Sequence, residues 1–133
     1  MNDTEITSAW LLESETPSIR YLTFTTILGK GKENVETAAA RRSIPEQAPA
    51  KTILDEQQTA GYWASDRHYY GPKYRSSHWS MLLLTEIAVP PEHPKMRKGA
   101  QYMLERAYRN KDDWIFQENV GCFWGNSLNF PIQ

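Results

Sequence analysis

Prolines and glycines punctuate this chain so regularly that it cannot form one long rod. Pro17, Gly29, Pro45, Gly61, Pro72 and the Pro90–Pro91 pair cut it into short segments. Proline cannot continue a helix from its interior, and glycine suits the left-handed position that ends one. The chemistry between these breaks is helical. "SAWLLESE" offers Ser8 as an N-cap ahead of Trp10, Leu11 and Leu12. "TPSIRYLTFTTILGKG" has Thr16 to cap, Pro17 at the first helical position and Gly29 at its end, although Thr23, Thr25 and Thr26 weaken its propensity. "ENVETAAARRSIP" has Asn34 as cap, Glu36 in the first turn and Arg41 and Arg42 in the last, where the helix dipole favours cations.

Three more segments obey the same rules. "PAKTILDEQQTAG" predicts a short helix closed by Gly61, and "SSHWSMLLLTEIAVPP" an apolar one stopped by Pro90 and Pro91. "HPKMRKGAQYMLERAYRN" runs for about four turns with Pro94 near its start, Met96, Tyr102 and Met103 inside, and a basic end at Arg106 and Arg109. Strand signals hardly occur. The expectation is an all-α fold of about six or seven helices, stacked as helical hairpins.

At 133 residues the chain has the length of one domain. Its 15 basic and 16 acidic residues leave a net charge of −1, which lacks the electrostatic footprint of a polyanion-binding protein, so nucleic acid is not the expected partner. A single cysteine, Cys122, rules out an internal disulfide framework and fits a reducing compartment, so a cytoplasmic protein is expected. No basic n-region precedes an apolar stretch at the N-terminus, and the longest apolar run, Met81 to Leu84, is far shorter than the roughly 20 residues of a membrane span. No membrane span is expected. Five tryptophans in a chain of mean hydropathy −0.65 point to a core built from a few large side chains.

The stretch "AGYWASDRHYYGPKYRSSHW", residues 60 to 79, does not fit an ordinary linker. It cannot be one regular helix, yet it holds Trp63, Tyr69, Tyr70, Tyr74 and Trp79 beside His68 and His78. Leaving so many rings in water would forgo on the order of 2 kcal/mol of burial each. The loop is therefore expected to pack on the helices, with Arg67, Lys73 and Arg75 stacked on its tyrosines as mortar. An arrangement of cations and rings like this also suits single-strand nucleic acid, but the neutral chain argues against that use.

Aligned with Ile53 on Met103, a spacing of 50 residues, two segments form complementary halves of one pattern: "TILDEQQTAGYW" and "KGAQYMLERAYRNKDDW". The first has Ile53, Gln57, Gly61 and Trp63; the second has Lys98, Gly99 and Tyr102 with Met103 as its aliphatic residue. Together they resemble the QW motif of the squalene-cyclase and prenyltransferase repeat family, in which a basic and a small residue precede an aromatic and an aliphatic, followed by Gln, Gly and Trp. Ala48, Pro49 and Thr52 break the front of the first copy; Ala107, Lys111 and Asp113 replace Gln, Gly and Trp in the second, with Trp114 one position late. The resemblance covers most of residues 14 to 109. It implies a partial α/α toroid in repeat-like units of about 8–45, 46–91 and 92–133, with Gln bonding orphan backbone groups, Gly reversing the chain and Trp laying its ring over the Gln amide plane.

The family's catalytic residues do not carry over. The cyclase acid is an Asp-x-Asp-Asp cluster, whereas this chain has the pair Asp112–Asp113 in the wrong local pattern and otherwise isolated aspartates such as Asp55 and Asp66. The prenyltransferase zinc site uses Asp, Cys and His, but Cys122, His68, His78 and His93 lack ligand spacing. No catalytic residue, metal or other cofactor is expected. Cys122 is read as a small apolar residue, and His78 as a hydrogen-bonded core residue ahead of Trp79.

The expected function is a non-catalytic scaffold or binding module. The competing reading is a piece or subunit of a terpenoid- or isoprenoid-processing enzyme whose acidic residues lie elsewhere. A ligand would be apolar or isoprenoid-like and would contact Trp63, His68, Tyr69, Tyr70, Tyr74, His78 and Trp79. The resemblance also implies a ring of about five or six hairpins, of which this chain supplies about three, so self-association or a partner helical domain is expected at the unfinished end. "ASDRHYYGPKYR" is the part with no compulsory structural role.

Overall fold

A computed structural model describes residues 1–109, with side chains through Arg106. The expectations for Lys111, Asp112, Asp113, Trp114 and Cys122 fall outside the described residues. Six α-helices occur in order: α1 (Asp3–Leu12), α2 (Pro17–Leu22), α3 (Val35–Ser43), α4 (Ala50–Asp55), α5 (Ser77–Glu86) and α6 (Pro94–Arg109). No strand occurs among the described residues. The fold is all-α, as the sequence predicts.

The helix ends show which local signals prevailed. Helix α1 starts five residues before the expected cap, because Asn2 Oδ1 accepts from the Glu5 amide at 2.9 Å while Glu5 Oε2 accepts from the Asn2 amide at 2.7 Å. Ser8 instead lies buried within the helix and donates to the Thr4 carbonyl. Helix α2 begins at Pro17 as expected, but Thr16 makes no side-chain cap. It continues through Thr23–Ile27 as a π-helical turn. There the Thr23 and Thr25 hydroxyls donate to the carbonyls of Ile19 and Tyr21, a back-bonding that competes with regular α geometry. Gly29, at φ +61°, takes the left-handed position that closes this helix.

Asn34 caps α3 as predicted, accepting from the Glu36 and Thr37 amides. The helix tightens into a 3-10 turn at Ile44–Glu46, with Pro45 inside that turn. Helix α1 packs on α2 and its π-helical continuation, α2 on α3, α4 on α5, and α5 on α6. A single core runs through these layers. Tyr21, Phe24 and Ile44 occupy it at one end, and Trp63, Met81, Leu84 and Met96 at the other.

Candidate functional site

Helix α4 ends at Asp55, and the segment after it forms a clamp that fastens the C-terminal end of α4 to α6. Gln57 Nε2 donates to the Gly61 carbonyl at 3.2 Å and to the Lys95 carbonyl at 2.9 Å. Lys95 Nζ returns the contact, donating to the Leu54 carbonyl at 2.7 Å. The chain turns tightly between them, since the Gln58 amide donates to the Tyr62 carbonyl and the Gly61 amide to the Gln58 carbonyl. One amide side chain and one ammonium thus cross-link backbone carbonyls at the end of α4, in the turn after it and in the first turn of α6.

Gly61 and Gly99 make the clamp close. Gly61 has φ +99°, and a Cβ there would stand 2.7 Å from the Lys98 backbone oxygen. A Cβ on Gly99 would meet Met81 Sδ at 2.5 Å and the Trp63 ring at 3.0 Å. Trp63 fills the space so defined: it is 1% exposed, its Nε1 donates to the Ile53 carbonyl at 2.7 Å, and its backbone amide donates to Ser77 Oγ at 2.9 Å. The six residues singled out in the two half-motifs therefore share one join. Gln57, Gly61 and Trp63 come from the segment after α4, while Lys98, Gly99 and Tyr102 lie on α6. Lys98 contributes its backbone, and its side chain is exposed. Tyr102 packs its ring 5.6 Å from that of Tyr62 and donates its hydroxyl to the Asp66 carbonyl at 3.1 Å. Burial pushes the Tyr102 hydroxyl above its ordinary pKa.

The aromatic stretch beyond Trp63 is pinned to the start of α5. The His78 amide, in the first turn, donates to the Tyr69 carbonyl at 2.8 Å; Ser76 Oγ and Trp79 Nε1 both donate to the Tyr70 carbonyl, at 2.6 and 3.1 Å. Ser76 and Ser77 are wholly buried and tether the loop. Sequence reasoning did not single them out: two small hydroxyl residues ahead of an apolar helix read as a capping signal, yet Ser76 makes no side-chain cap and both hydroxyls bond the loop instead.

These tethers divide the predicted ligand-contacting set. Trp63, Tyr69 and His78 are buried, at 1%, 3% and 3% exposure, so their side chains fill the core and do not face solvent. Burial pushes the His78 imidazole below its ordinary pKa. Tyr70 and Trp79 are half-buried, while His68 is exposed and Tyr74 is 70% exposed. Three rings form a shelf. The Trp79 ring lies 5.4 Å from Tyr70 and 5.0 Å from Tyr74, and Lys73 Nζ stands 5.0 Å from the Tyr74 ring centre and 5.9 Å from that of Trp79. Of the three cations expected to stack on the tyrosines, Lys73 is the one placed over the Tyr74 and Trp79 rings among the described contacts.

Tyr74 adopts φ +68°, a left-handed conformation that costs a side-chain-bearing residue free energy. The turn presents the ring outward. A groove of about 390 Å³ lies elsewhere, walled by Pro17, Arg20 and Val35 among others, with no aromatic side chain in its lining. Among the described residues, no group of three or more His, Cys, Asp and Glu side chains converges where a metal ion could sit. Among them also, no helix is long and apolar enough to cross a membrane.

The chain matches no protein-family model, no curated protein and no solved structure. Fold and geometry define its class: an all-α domain of stacked helices with a glycine-lined tryptophan clamp and an aromatic shelf.

Proposed function

We propose that this chain is a non-catalytic helical-repeat module, of the squalene-cyclase-like class that its half-motifs resemble, and that it binds a partner on the shelf of Tyr70, Tyr74 and Trp79. The observation that carries this reading is Tyr74. A ring 70% exposed, on a backbone at φ +68°, contributes little to the core and costs strain, so its display calls for another explanation. Half-buried Trp79 gives the shelf an anchored floor, and Lys73 adds a positive charge at its rim. An open shelf of this shape suits a macromolecular surface better than an engulfed small molecule, which needs a concave pocket.

The probe of choice is 1-anilinonaphthalene-8-sulfonate, a flat aromatic anion that matches both the rings and Lys73. Dilute protein is expected to give a saturable fluorescence rise, and Tyr74→Gly to weaken that binding about tenfold through loss of one stacked ring and its apolar area. Equal binding by both proteins, with equal melting behaviour, would remove the shelf as the binding surface.

A further inference from the structure

The shelf continues into an uncovered helix face whose counterpart lies on the same chain. On α5 the face opposite the core holds Trp79 and, one turn later, Leu83, which is 47% exposed. Rings and aliphatic surface run on from Tyr74 at its N-terminal end. The charge at the N-terminal end of this face is positive, since residues 61–75 hold Arg67, Lys73 and Arg75 against Asp66 alone, whereas exposed Glu86 follows Leu83 at the other end.

Helix α1 is the complement. The one residue it buries fully is Ser8. At 100° per residue, Asp3, Ile6, Trp10 and Glu13 fall on the side opposite Ser8. Ile6 is 52% exposed and Trp10 67% exposed, and a carboxylate lies at each end of their stripe. Residues 1–19 contain four acidic residues, Asp3, Glu5, Glu13 and Glu15, and no lysine or arginine. Two copies of α1 would repel one another. A basic, aromatic surface would attract it.

Resting on the shelf reading, we infer that the shelf's partner is a second copy of this chain, which lays the outer face of its α1 along Tyr74, Trp79 and Leu83. Trp10 and Ile6 supply the apolar anchors of a helix seated on a groove, and Glu13 faces the Lys73 rim. Each copy offers one α1 and one shelf, so a twofold axis closes both contacts in a dimer. Helix α1 keeps its own packing on α2 throughout, because only its solvent face is used.

Sedimentation equilibrium of the full chain tests this. A dimer is expected whose dissociation constant rises several-fold between about 50 mM and about 500 mM salt, as screening removes the charge attraction. Trp10→Ser is expected to weaken it at least tenfold, as loss of a central aromatic anchor does. Glu13→Lys and Lys73→Glu are each expected to weaken it about fivefold, and together in one chain to restore it. All of these positions are exposed, and helical circular dichroism verifies the fold of each variant.

A wild type that is monomeric at every concentration overturns the proposal, as does a dimer that fails to recover in the double charge swap. Failure here is separable from failure of the shelf itself. A monomer that still loses dye binding in Tyr74→Gly keeps the shelf and gives it a different occupant.

Discussion

Trp63→Ala is expected to lower the unfolding free energy by about 3–5 kcal/mol, the cost of truncating a large, fully buried aromatic side chain. A domain of this size holds only about 5–15 kcal/mol in total, so much of the population would unfold at physiological temperature. The effect is large because the ring is used on every side. Its edge meets Gly99, its neighbour is Met81, and its Nε1 donates to the Ile53 carbonyl. Truncation leaves a cavity between the end of α4, α5 and α6, and takes the indole donor from the partly buried Ile53 carbonyl as well. Urea denaturation followed by circular dichroism reads the loss, and Trp63→Phe, which keeps most of the volume, is expected to fall between the two. A Trp63→Ala protein within about 1 kcal/mol of wild type would contradict the clamp.

Gly61→Ala is expected to cost about 2–4 kcal/mol, from two independent sources. At φ +99° a side chain is strained whatever the surroundings, and here its Cβ would press on the Lys98 backbone oxygen at 2.7 Å. Backbone cannot rotate away as a flexible side chain can. Relief would require the turn to lift from α6, which lengthens the Gln57 bond to the Lys95 carbonyl and exposes the Trp63 edge. The same denaturation series checks it, and an unchanged midpoint would mean that the turn does not press on α6 as described.

Much of this architecture was legible in the residues. Pro17 and Pro94 start helices, Asn34 caps one, Gly29 closes one, and the Gln57–Gly61–Trp63 spacing marks a join. Those signals are local, set by a few backbone groups within one turn. Other features depended on competition between equally plausible local choices. Ser8 reads as a helix cap, yet the reciprocal pair of Asn2 and Glu5 satisfies two amides at once and starts the helix earlier.

The inward or outward facing of the aromatic stretch was not legible. Tyr69 is buried and Tyr74 exposed, but no period of two or of 3.6 residues orders a chain held by Ser76, Ser77 and the α5 amides. Nor could Gly99 be seen as the seat of Trp63, since that contact joins residues 36 apart in sequence.

The central claim is that Tyr74 is held out for binding while Trp63, Tyr69 and His78 hold the helices together, and the unfolding free energy of Tyr74→Gly tests it most directly. Glycine accepts φ +68° without penalty, and the ring it removes is mostly in water. The account predicts a variant as stable as wild type or more stable by up to about 1 kcal/mol. A loss of more than about 1 kcal/mol in urea would show that the ring is part of the core's support, and would contradict the account.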